Sequence, residues 1–300
     1  YHCINTLKKQ GIKRIFLSID GPKNYKDKKI QEKIYSYCKD NKSDFEIKIN
    51  QFKTNYGCRL GPRKGISWFF LHNAFGVVLE DDVIVSKRCM ESFYFLLKKY
   101  QNNDDFMSIT SFNEFTNKNI ESVYKLPVWR SWGWASWADK WNNHLVFSEK
   151  IKNFTIWEIY KLLPKNLRSI QTAKLVKASQ LNLLDAWDYE FNFSHIVNKK
   201  SSLTIGGINN FVYGFDNTAT HTIDIESIGI NFNYFCERKI DMNSIKKLSS
   251  KNEKFTLRKC GFFYKEDIFL KHKFFNFLFS FYISIIFHLR KIKRIMYKIL

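Results

Sequence analysis

The sequence predicts an α/β protein with a mainly parallel sheet and helices on both of its faces. Short apolar runs alternate with segments of helical spacing, and parallel connections need such helical crossovers. At 300 residues, of which 45% are hydrophobic, the chain is long enough to bury a core of this kind. The strand and helix candidates, in chain order, are residues 14–20, 27–39, 45–52, 65–73, 75–79, 86–100 and 106–112.

Turn signals bound the first two elements. Residues 1–10 are predicted to form a helix, and Gly11 is a residue type that commonly follows a helix end. The apolar run of residues 14–20 then stops at Gly21 and Pro22, which form a strong turn signal. We therefore expect a helix followed directly by a strand.

Periodicity distinguishes the elements that follow. Residues 27–39 have the spacing of an amphipathic helix, whereas residues 45–52 alternate as a half-exposed strand does. Residues 65–73 return to helical spacing. Residues 75–79 form a continuous apolar run, which is typical of a strand buried on both faces. Ser86 then opens the next helix.

Three acidic residues, Glu80, Asp81 and Asp82, follow the buried strand directly. Asp20 ends another predicted strand, and ligands of open α/β sheets bind beyond the carboxyl ends of the strands. A buried cluster of carboxylates is costly unless a positive charge lies among them. Their oxygens suit Mg²⁺ or Mn²⁺, which also bind substrate phosphates. We therefore favour a metal site over the alternative, a solvated acidic loop.

The formal charge of +21 allows three classes of partner: nucleic acid, an anionic membrane surface or a phosphate-bearing substrate. The alternative is a Lys-rich composition without a specific partner. The six cysteines are scattered without a CxxC pair, which argues against a zinc ribbon or a disulfide scaffold and fits a reducing compartment. No secretory signal is visible.

Several motifs follow one another in a distinctive order: residues 55–58 (NYGC), 65–70 (GISWFF), 76–82 (GVVLEDD), 130–137 (RSWGWASW), 186–189 (AWDY), 214–215 (GF) and 219–222 (ATHT). In this order they resemble a group of bacterial sugar transferases with the GT-A fold, a Rossmann-like nucleotide-diphospho-sugar transferase fold. The order is also similar to that of the eukaryotic N-acetylglucosaminyltransferases that build complex N-glycans. No single motif identifies the family. The resemblance depends on the order in which the motifs occur. The resemblance covers residues 1 to about 222.

The resemblance implies distinct roles for five acidic residues. Asp82 would bind the metal that bridges the donor diphosphate, Asp81 would lie near the ribose, and Glu80 near the transferred sugar. Asp20 would accept a hydrogen bond from the pyrimidine base, with a helix or turn cap as its alternative role. Asp188 matches the catalytic base of inverting members.

Three further residues are assigned to the same site. The resemblance places Asn55 at the donor. Arg63 lies upstream of the apolar strand and is expected to approach the phosphates, with a solvated basic turn as an equally open alternative. His221 is either a second metal ligand, as the resemblance implies, or a structural histidine.

Residues 129–141 contain five tryptophans. Indole rings suit the C–H faces of sugars, and Gly133, between two of them, would let backbone or ring approach a ligand closely. We expect at least one of these rings, Trp134, in the donor or acceptor pocket. Ordinary core packing is the alternative.

The sequence departs from the family in two places. Related proteins begin with a strand carrying an Asn-Arg-Pro signature, which is absent here, so we expect that the sequence begins after this strand. Asp216 stands where the family has a second Gly. We assign residues 1–225 to the transferase domain and residues 226–300 to a basic, helical C-terminal extension.

Residues 274–289 are apolar over about sixteen positions, short of the roughly twenty needed to span a bilayer. Five cations follow within the last eleven residues, interleaved with Ile and Leu. This pattern predicts an amphipathic helix on an anionic membrane surface, with a helix packed on the main domain as the alternative. We therefore expect a cytoplasmic protein, peripheral on the inner face of the cell membrane.

Together with the resemblance, these features predict a metal-dependent enzyme that transfers a sugar. The resemblance implies a UDP-sugar donor and a glycan or lipid-linked acceptor in cell-surface polysaccharide synthesis. Inversion at the anomeric centre and Mn²⁺ or Mg²⁺ are expected. One alternative is a nucleotidyltransferase that makes nucleotide sugars, which usually carries a Gly-rich loop not seen here. Another is a basic nucleic-acid-binding protein. We expect no nucleic acid, since the densest basic cluster lies away from the tryptophans.

Overall fold

The computed structural model describes residues 2–40, 46–112, 122–184, 186–207, 210–212, 241–260 and 262. This part of the chain contains nine α-helices, ten strands and a short 3-10 turn at Lys165–Leu167. The helices are α1 (His2–Lys9), α2 (Tyr25–Asp40), α3 (Gly57–His72), α4 (Lys87–Lys99), α5 (Ala138–Ile151), α6 (Ile156–Leu162), α7 (Ile170–Gln180), α8 (Asp188–Val197) and α9 (Ser250–Lys259). The strands are β1 (Arg14–Ile19), β2 (Glu46–Gln51), β3 (Phe75–Val78), β4 (Val83–Val85), β5 (Phe106–Thr110), β6 (Ser122–Leu126), β7 (Trp134–Trp137), β8 (Ser201–Ile205), β9 (Asn210–Val212) and β10 (Asp241–Lys247).

The main sheet has six strands in the order β10-β6-β8-β5-β7-β3. The pairs β10/β6 and β8/β5 are parallel, and the other three pairs are antiparallel. Two smaller ladders join β1 to β2 in parallel and β4 to β9 in antiparallel fashion. The α/β class is thus confirmed, but the described sheet is mixed and not mainly parallel. The physical reason is that β7 runs opposite to its neighbours β3 and β5, and β6 runs opposite to its neighbour β8.

All the elements predicted within the first 112 residues are present, but α3 begins at Gly57, eight residues before its predicted start at residue 65. The first half of α3 contains Gly61 and Pro62, and Gly65 follows. Because Gly and Pro are the weakest helix formers, the sequence pattern concealed this part of the helix. Contacts with the rest of the fold must stabilise it.

The carboxylate of Asp20 supplies one of these contacts. Its oxygens accept the backbone N–H groups of Tyr56 and Gly57, each at 2.9 Å, at the start of α3. These are amide groups that a helix start leaves without an internal partner, and a carboxylate there also interacts favourably with the helix dipole. The alternative role considered for Asp20, a helix cap, is therefore present in the structure.

Two glycines let α3 lie close to β1. A Cβ at Gly61 would sit 3.1 Å from Oδ2 of Asp20, and a Cβ at Gly65 would sit 2.5 Å from the hydroxyl of Ser18. Larger residues would push the helix away from β1 and from its capping carboxylate. The glycines that weaken the helix locally are thus required by its packing.

The described C-terminal residues join the main body. β10 pairs with β6 in the six-stranded sheet, and the buried side chains of Leu257, Cys260 and Phe262 pack with helices α6, α7 and α8 in one core cluster. The proposed extension of residues 226–300 therefore contributes a sheet strand over residues 241–247. Residues 226–240 and 263–300 lie outside the described residues, and so does the proposed membrane helix.

None of the helices in the described ranges is long and apolar enough to cross a bilayer.

We expect Asp20→Ala to lower the melting temperature, because the first amides of α3 would lose their acceptor. The loss of a helix cap typically costs about 1–2 kcal/mol, or about 2–8 °C for a domain of this size. The matched control is Asp105→Ala, which removes an exposed carboxylate that precedes a strand and lies 3.8 Å from Lys125. Equal shifts in thermal denaturation for the two variants would show that Asp20 does not hold α3.

Candidate active site

The acidic residues form a tight turn at one edge of the sheet. Glu80, Asp81 and Asp82 connect β3 to β4, and the N–H of Val83 donates to the carbonyl of Glu80 at 3.1 Å. Strands β3, β5 and β8 run in the same direction, so their carboxyl ends lie together. We call this side of the sheet the carboxyl edge. The turn occupies the position at which open α/β sheets bind ligands.

Helix α1 fixes the turn on the side of β4. The thiol of Cys3 donates to the carbonyl of Val83 at 2.9 Å, and Nε2 of Gln10 donates to the carbonyl of Val85 at 2.7 Å. Burial, followed by the negative charge of Asp81, raises the pKa of Cys3 to about 11. The thiol therefore stays protonated at neutral pH and remains a hydrogen-bond donor to the strand.

A chain of contacts brings Asp188 to the same turn. Val78, at the end of β3, pairs with Trp134 at the start of β7. The ring of Trp134 lies 5.8 Å from that of Trp187, between centroids, and Trp187 is the residue that precedes α8. Asp188 is the first residue of α8. Tryptophan packing thus links the strand before the acids to the helix that begins at Asp188.

Glu80 interacts electrostatically with the other three acids. Burial raises the pKa of Glu80 to about 8, and the negative charges of Asp82, Asp188 and Asp81 act in the same direction. A hydrogen bond with the side chain of Ser131 has the opposite, smaller effect. Glu80 is therefore mostly protonated at neutral pH, and it is able to donate a hydrogen bond.

Asp82 has an oxygen that suits a metal ion. Its Oδ1 is buried without a hydrogen-bond partner, and burial, followed by the charge of Asp81, raises the pKa of Asp82. An unpaired buried carboxylate oxygen is costly unless a cation binds it. One or two carboxylates suffice for Mg²⁺ when substrate phosphates supply the remaining ligands. The donor chemistry of the turn therefore fits a divalent ion.

A metal site made of protein groups alone is not present in the described residues. No cluster of three or more His, Cys, Asp or Glu side chains there is arranged to hold an ion. His221, the second ligand expected from the sequence, lies outside the described residues, and its role stays a prediction. Any ion at the turn would need ligands from a substrate or from His221 in addition to Asp82.

Asp20 and Asn55 form a separate group at the start of α3. Asp20 accepts the N–H of Gly21 at 2.9 Å, and Nδ2 of Asn55 donates to the carbonyl of Gly21 at 2.7 Å. They hold the loop after β1 against the loop before α3. Neither residue makes a hydrogen bond or ion pair with the acidic turn in the described part of the chain. Their contacts with a nucleotide stay predictions.

The tryptophan-rich segment serves mainly as core. Trp134 is only 1% exposed and stacks at 4.8 Å on Trp129, so a ligand would reach its ring only if the core opened. The expected ligand contact of Trp134 is therefore not supported by its position. Trp132, which follows Ser131 in the sequence and is partly exposed, is better placed than Trp134 to contact a ligand. Gly133 has φ +77°, and a Cβ there would lie 2.6 Å from the hydroxyl of Ser111, so it serves close packing within the protein.

Arg63 lies in a buried ion-pair network and not in a solvated turn. Its guanidinium is 3.3 Å from Glu190, and that of Arg59 is 2.8 Å from the same carboxylate. Sequence analysis did not identify Arg59, Glu190 or Ser131. The signal for Glu190 was available, since an acid within the apolar helix pattern of residues 188–197 requires a buried partner.

Searches of protein-family models and of curated proteins found no match to this sequence. The candidate site therefore rests on its own geometry: a turn of three acids, one of which has a buried carboxylate oxygen without a hydrogen-bond partner, and a fourth acid at a helix start.

We expect Glu80→Gln to stabilise the metal-free protein increasingly as the pH rises from 4.5 to 8. In that range the folded protein keeps a proton on Glu80 that the unfolded chain has released, so the stability of the wild type falls. The variant has no proton to lose at this position. The difference in unfolding free energy between the variant and the wild type should grow by a few kcal/mol across this pH range, since each unit of pKa shift is worth about 1.4 kcal/mol. Urea denaturation in EDTA at several pH values measures it, and a difference independent of pH would contradict the assignment.

Proposed function

We propose that the protein is a metal-dependent glycosyltransferase of the GT-A type, which transfers a sugar from a nucleotide diphosphate to an acceptor hydroxyl with inversion. The observation that carries this proposal is the meeting of Asp188 with the acidic turn, although about a hundred residues separate them in the sequence. Such a reaction needs one carboxylate at the leaving diphosphate and another at the acceptor. The resemblance of the ordered sequence motifs to those of GT-A sugar transferases supports the same function.

Asp188 is suited to act as the base. An acceptor hydroxyl is a weak nucleophile, and a carboxylate within hydrogen-bond reach must take its proton during the attack. Asp188 occupies the first position of α8, where the helix dipole favours a negative charge. The start of a helix thus suits a carboxylate that is to accept a proton.

Asp82 is suited to hold the metal ion. Its buried, unpaired Oδ1 is available as a ligand, and the diphosphate of the donor would complete the coordination. The ion, when bound, would neutralise the charge that develops on the leaving diphosphate. Asp82 would in this way orient the leaving group toward the turn and away from Asp188.

Glu80 is suited to recognise the transferred sugar. In the metal-free protein, burial and the neighbouring acids raise its pKa to about 8, and a protonated carboxyl group is able both to donate and to accept hydrogen bonds. Sugar hydroxyls require both kinds of partner. The contact with Ser131 fixes the orientation of this carboxyl group at the carboxyl edge.

The donor and acceptor classes complete the proposal. A UDP-sugar donor, a glycan or lipid-linked acceptor and a role in cell-surface polysaccharide synthesis follow from the sequence resemblance. Association with the inner face of the membrane would depend on residues 274–300, which the structure does not describe. Deleting those residues should leave the transfer chemistry intact, because the proposed catalytic groups lie within residues 80–188.

We expect Asp188→Asn to lower kcat by roughly 10²–10⁴, because the amide keeps the shape of the side chain but cannot accept the proton. Donor binding should change little, since the base acts mainly in the transition state. Turnover is measured as nucleotide diphosphate released from a panel of nucleotide sugars, and donor affinity by calorimetry in Mn²⁺.

Two further variants make this result specific. Asp82→Ala should instead abolish the Mn²⁺-dependent part of donor binding. Asp105→Asn is the control. It removes an exposed carboxylate that precedes β5, at the opposite edge of the sheet, and should change neither kcat nor the Mn²⁺-dependent donor binding. Near-normal turnover by Asp188→Asn, or donor binding by Asp82→Ala with undiminished Mn²⁺ dependence, would count against the proposed function.

A further inference from the structure

A cavity of about 340 Å³ lies among helices α3, α5, α7 and α8. This volume is within the range of pockets that bind small molecules. Its wall includes Glu190, which is two residues after Asp188 and therefore points to a different side of α8. The cavity is distinct from the acidic turn, and its charge is of the opposite sign. Four of its lining residues are cationic: Arg59, Arg63, Lys64 and Lys152.

Glu190 is fully satisfied by its neighbours. Its carboxylate accepts two N–H groups of Arg59, one of Arg63, and the hydroxyls of Ser148 and Ser179. A carboxylate has room for about four hydrogen bonds. Glu190 therefore has no capacity left for a ligand, and it neutralises only one of the two guanidinium charges beside it.

The cavity keeps an excess of positive charge. Among the described residues, Glu149 is the only other acidic one that lines it, and it lies 3.5 Å from Lys152. Four cations against two carboxylates leave two positive charges facing the cavity. Of the two arginines, Arg63 is the less satisfied, because Glu190, at 3.3 Å, is the hydrogen-bond partner of only one of its five N–H donors. A partly buried guanidinium in this state favours an anionic ligand.

Gln180 gives an independent indication of a ligand. This lining side chain is only 7% exposed, and both its amide nitrogen and its amide oxygen are buried without a hydrogen-bond partner. An unpaired buried amide destabilises a folded protein, so its retention requires an explanation. A ligand that satisfies Gln180 must offer both an acceptor and a donor. Hydrogen phosphate and phosphate monoesters that carry hydroxyl groups do so, whereas a simple carboxylate offers only acceptors.

We propose that this cavity is a phosphate-binding site, in which Arg63 pairs with the phosphate oxygens and Gln180 completes the recognition of a small phosphorylated molecule. The site does not rest on the proposed glycosyl transfer, because its residues are separate from the acidic turn and its ligand requires no metal ion. Guanidinium groups bind phosphate through paired, charge-assisted hydrogen bonds, which accounts for arginine at this position.

The test is calorimetric titration of the whole chain with inorganic phosphate in EDTA. Arg63→Gln should weaken binding about tenfold or more, since a hydrogen bond to a charged group is worth at least about a tenfold change in affinity. Glu190 keeps its bonds from Arg59 and the two serines, so this variant should still fold. The matched control, Arg14→Gln, removes the same charge at a guanidinium that bonds Asn73 outside the cavity, and it should bind phosphate normally.

Gln180→Leu separates a binding role from a structural one. Removing an unpaired buried amide should raise the melting temperature while weakening phosphate binding several-fold. The proposal is overturned by absence of phosphate binding to the wild type at millimolar concentration, by equal affinities of Arg63→Gln and Arg14→Gln, or by unchanged phosphate affinity in Gln180→Leu.

Competition identifies the source of the phosphate. If uridine diphosphate in EDTA displaces inorganic phosphate, the site takes the phosphate of a nucleotide. If a saturating amount of uridine diphosphate with Mn²⁺ leaves phosphate binding unchanged, the cavity serves a second phosphorylated molecule. Loss of glycosyl transfer in Asp188→Asn would not affect either result, so the two proposals succeed or fail separately.

Discussion

The contact between Trp187 and Trp134 is the interaction on which the candidate active site depends. It joins β7, which pairs with the strand before the acidic turn, to the start of α8, which carries Asp188. Trp129 lies against both rings, 4.8 Å from one and 5.2 Å from the other, and all three are buried. Replacing a buried Trp by Ala typically costs roughly 3–5 kcal/mol, so this packing fixes the distance between the two acidic groups firmly. These three tryptophans thus hold the start of α8 against the strand that pairs with β3.

Charge distribution explains how both proposed sites arise in one chain. The whole chain carries a net charge of +21, yet four acids meet at the carboxyl edge, where burial and mutual repulsion keep Glu80 protonated. In the cavity among helices α3, α5, α7 and α8 the excess charge is positive, and Glu190 offsets only part of it. Each site therefore contains unbalanced charge that a ligand would compensate: a divalent cation in one and a phosphate in the other.

The sequence predicted most of the N-terminal elements and the acidic turn, because apolar periodicity and turn residues are local signals. It did not predict the start of α3 at Gly57, since the capping carboxylate of Asp20 comes from a distant loop. It also did not predict the mixed sheet, because no local pattern shows that β7 inserts between β3 and β5. Trp134 was expected at the ligand because composition does not distinguish a buried indole from an exposed one. The pairing of Arg63 with Glu190 depends on how four helices pack, which no local motif specifies.

The central claim is that Asp188 and the acidic turn form one electrostatic unit. The most direct measurement is the pKa of Glu80, followed by NMR of the side-chain carboxyl carbon in metal-free protein. In the wild type it should be near 8, and in Asp188→Asn it should fall, because one of the negative charges that raise it is removed. An equal pKa of Glu80 in the two proteins would show that Asp188 does not act on the turn, and the proposed active site would then lose its base.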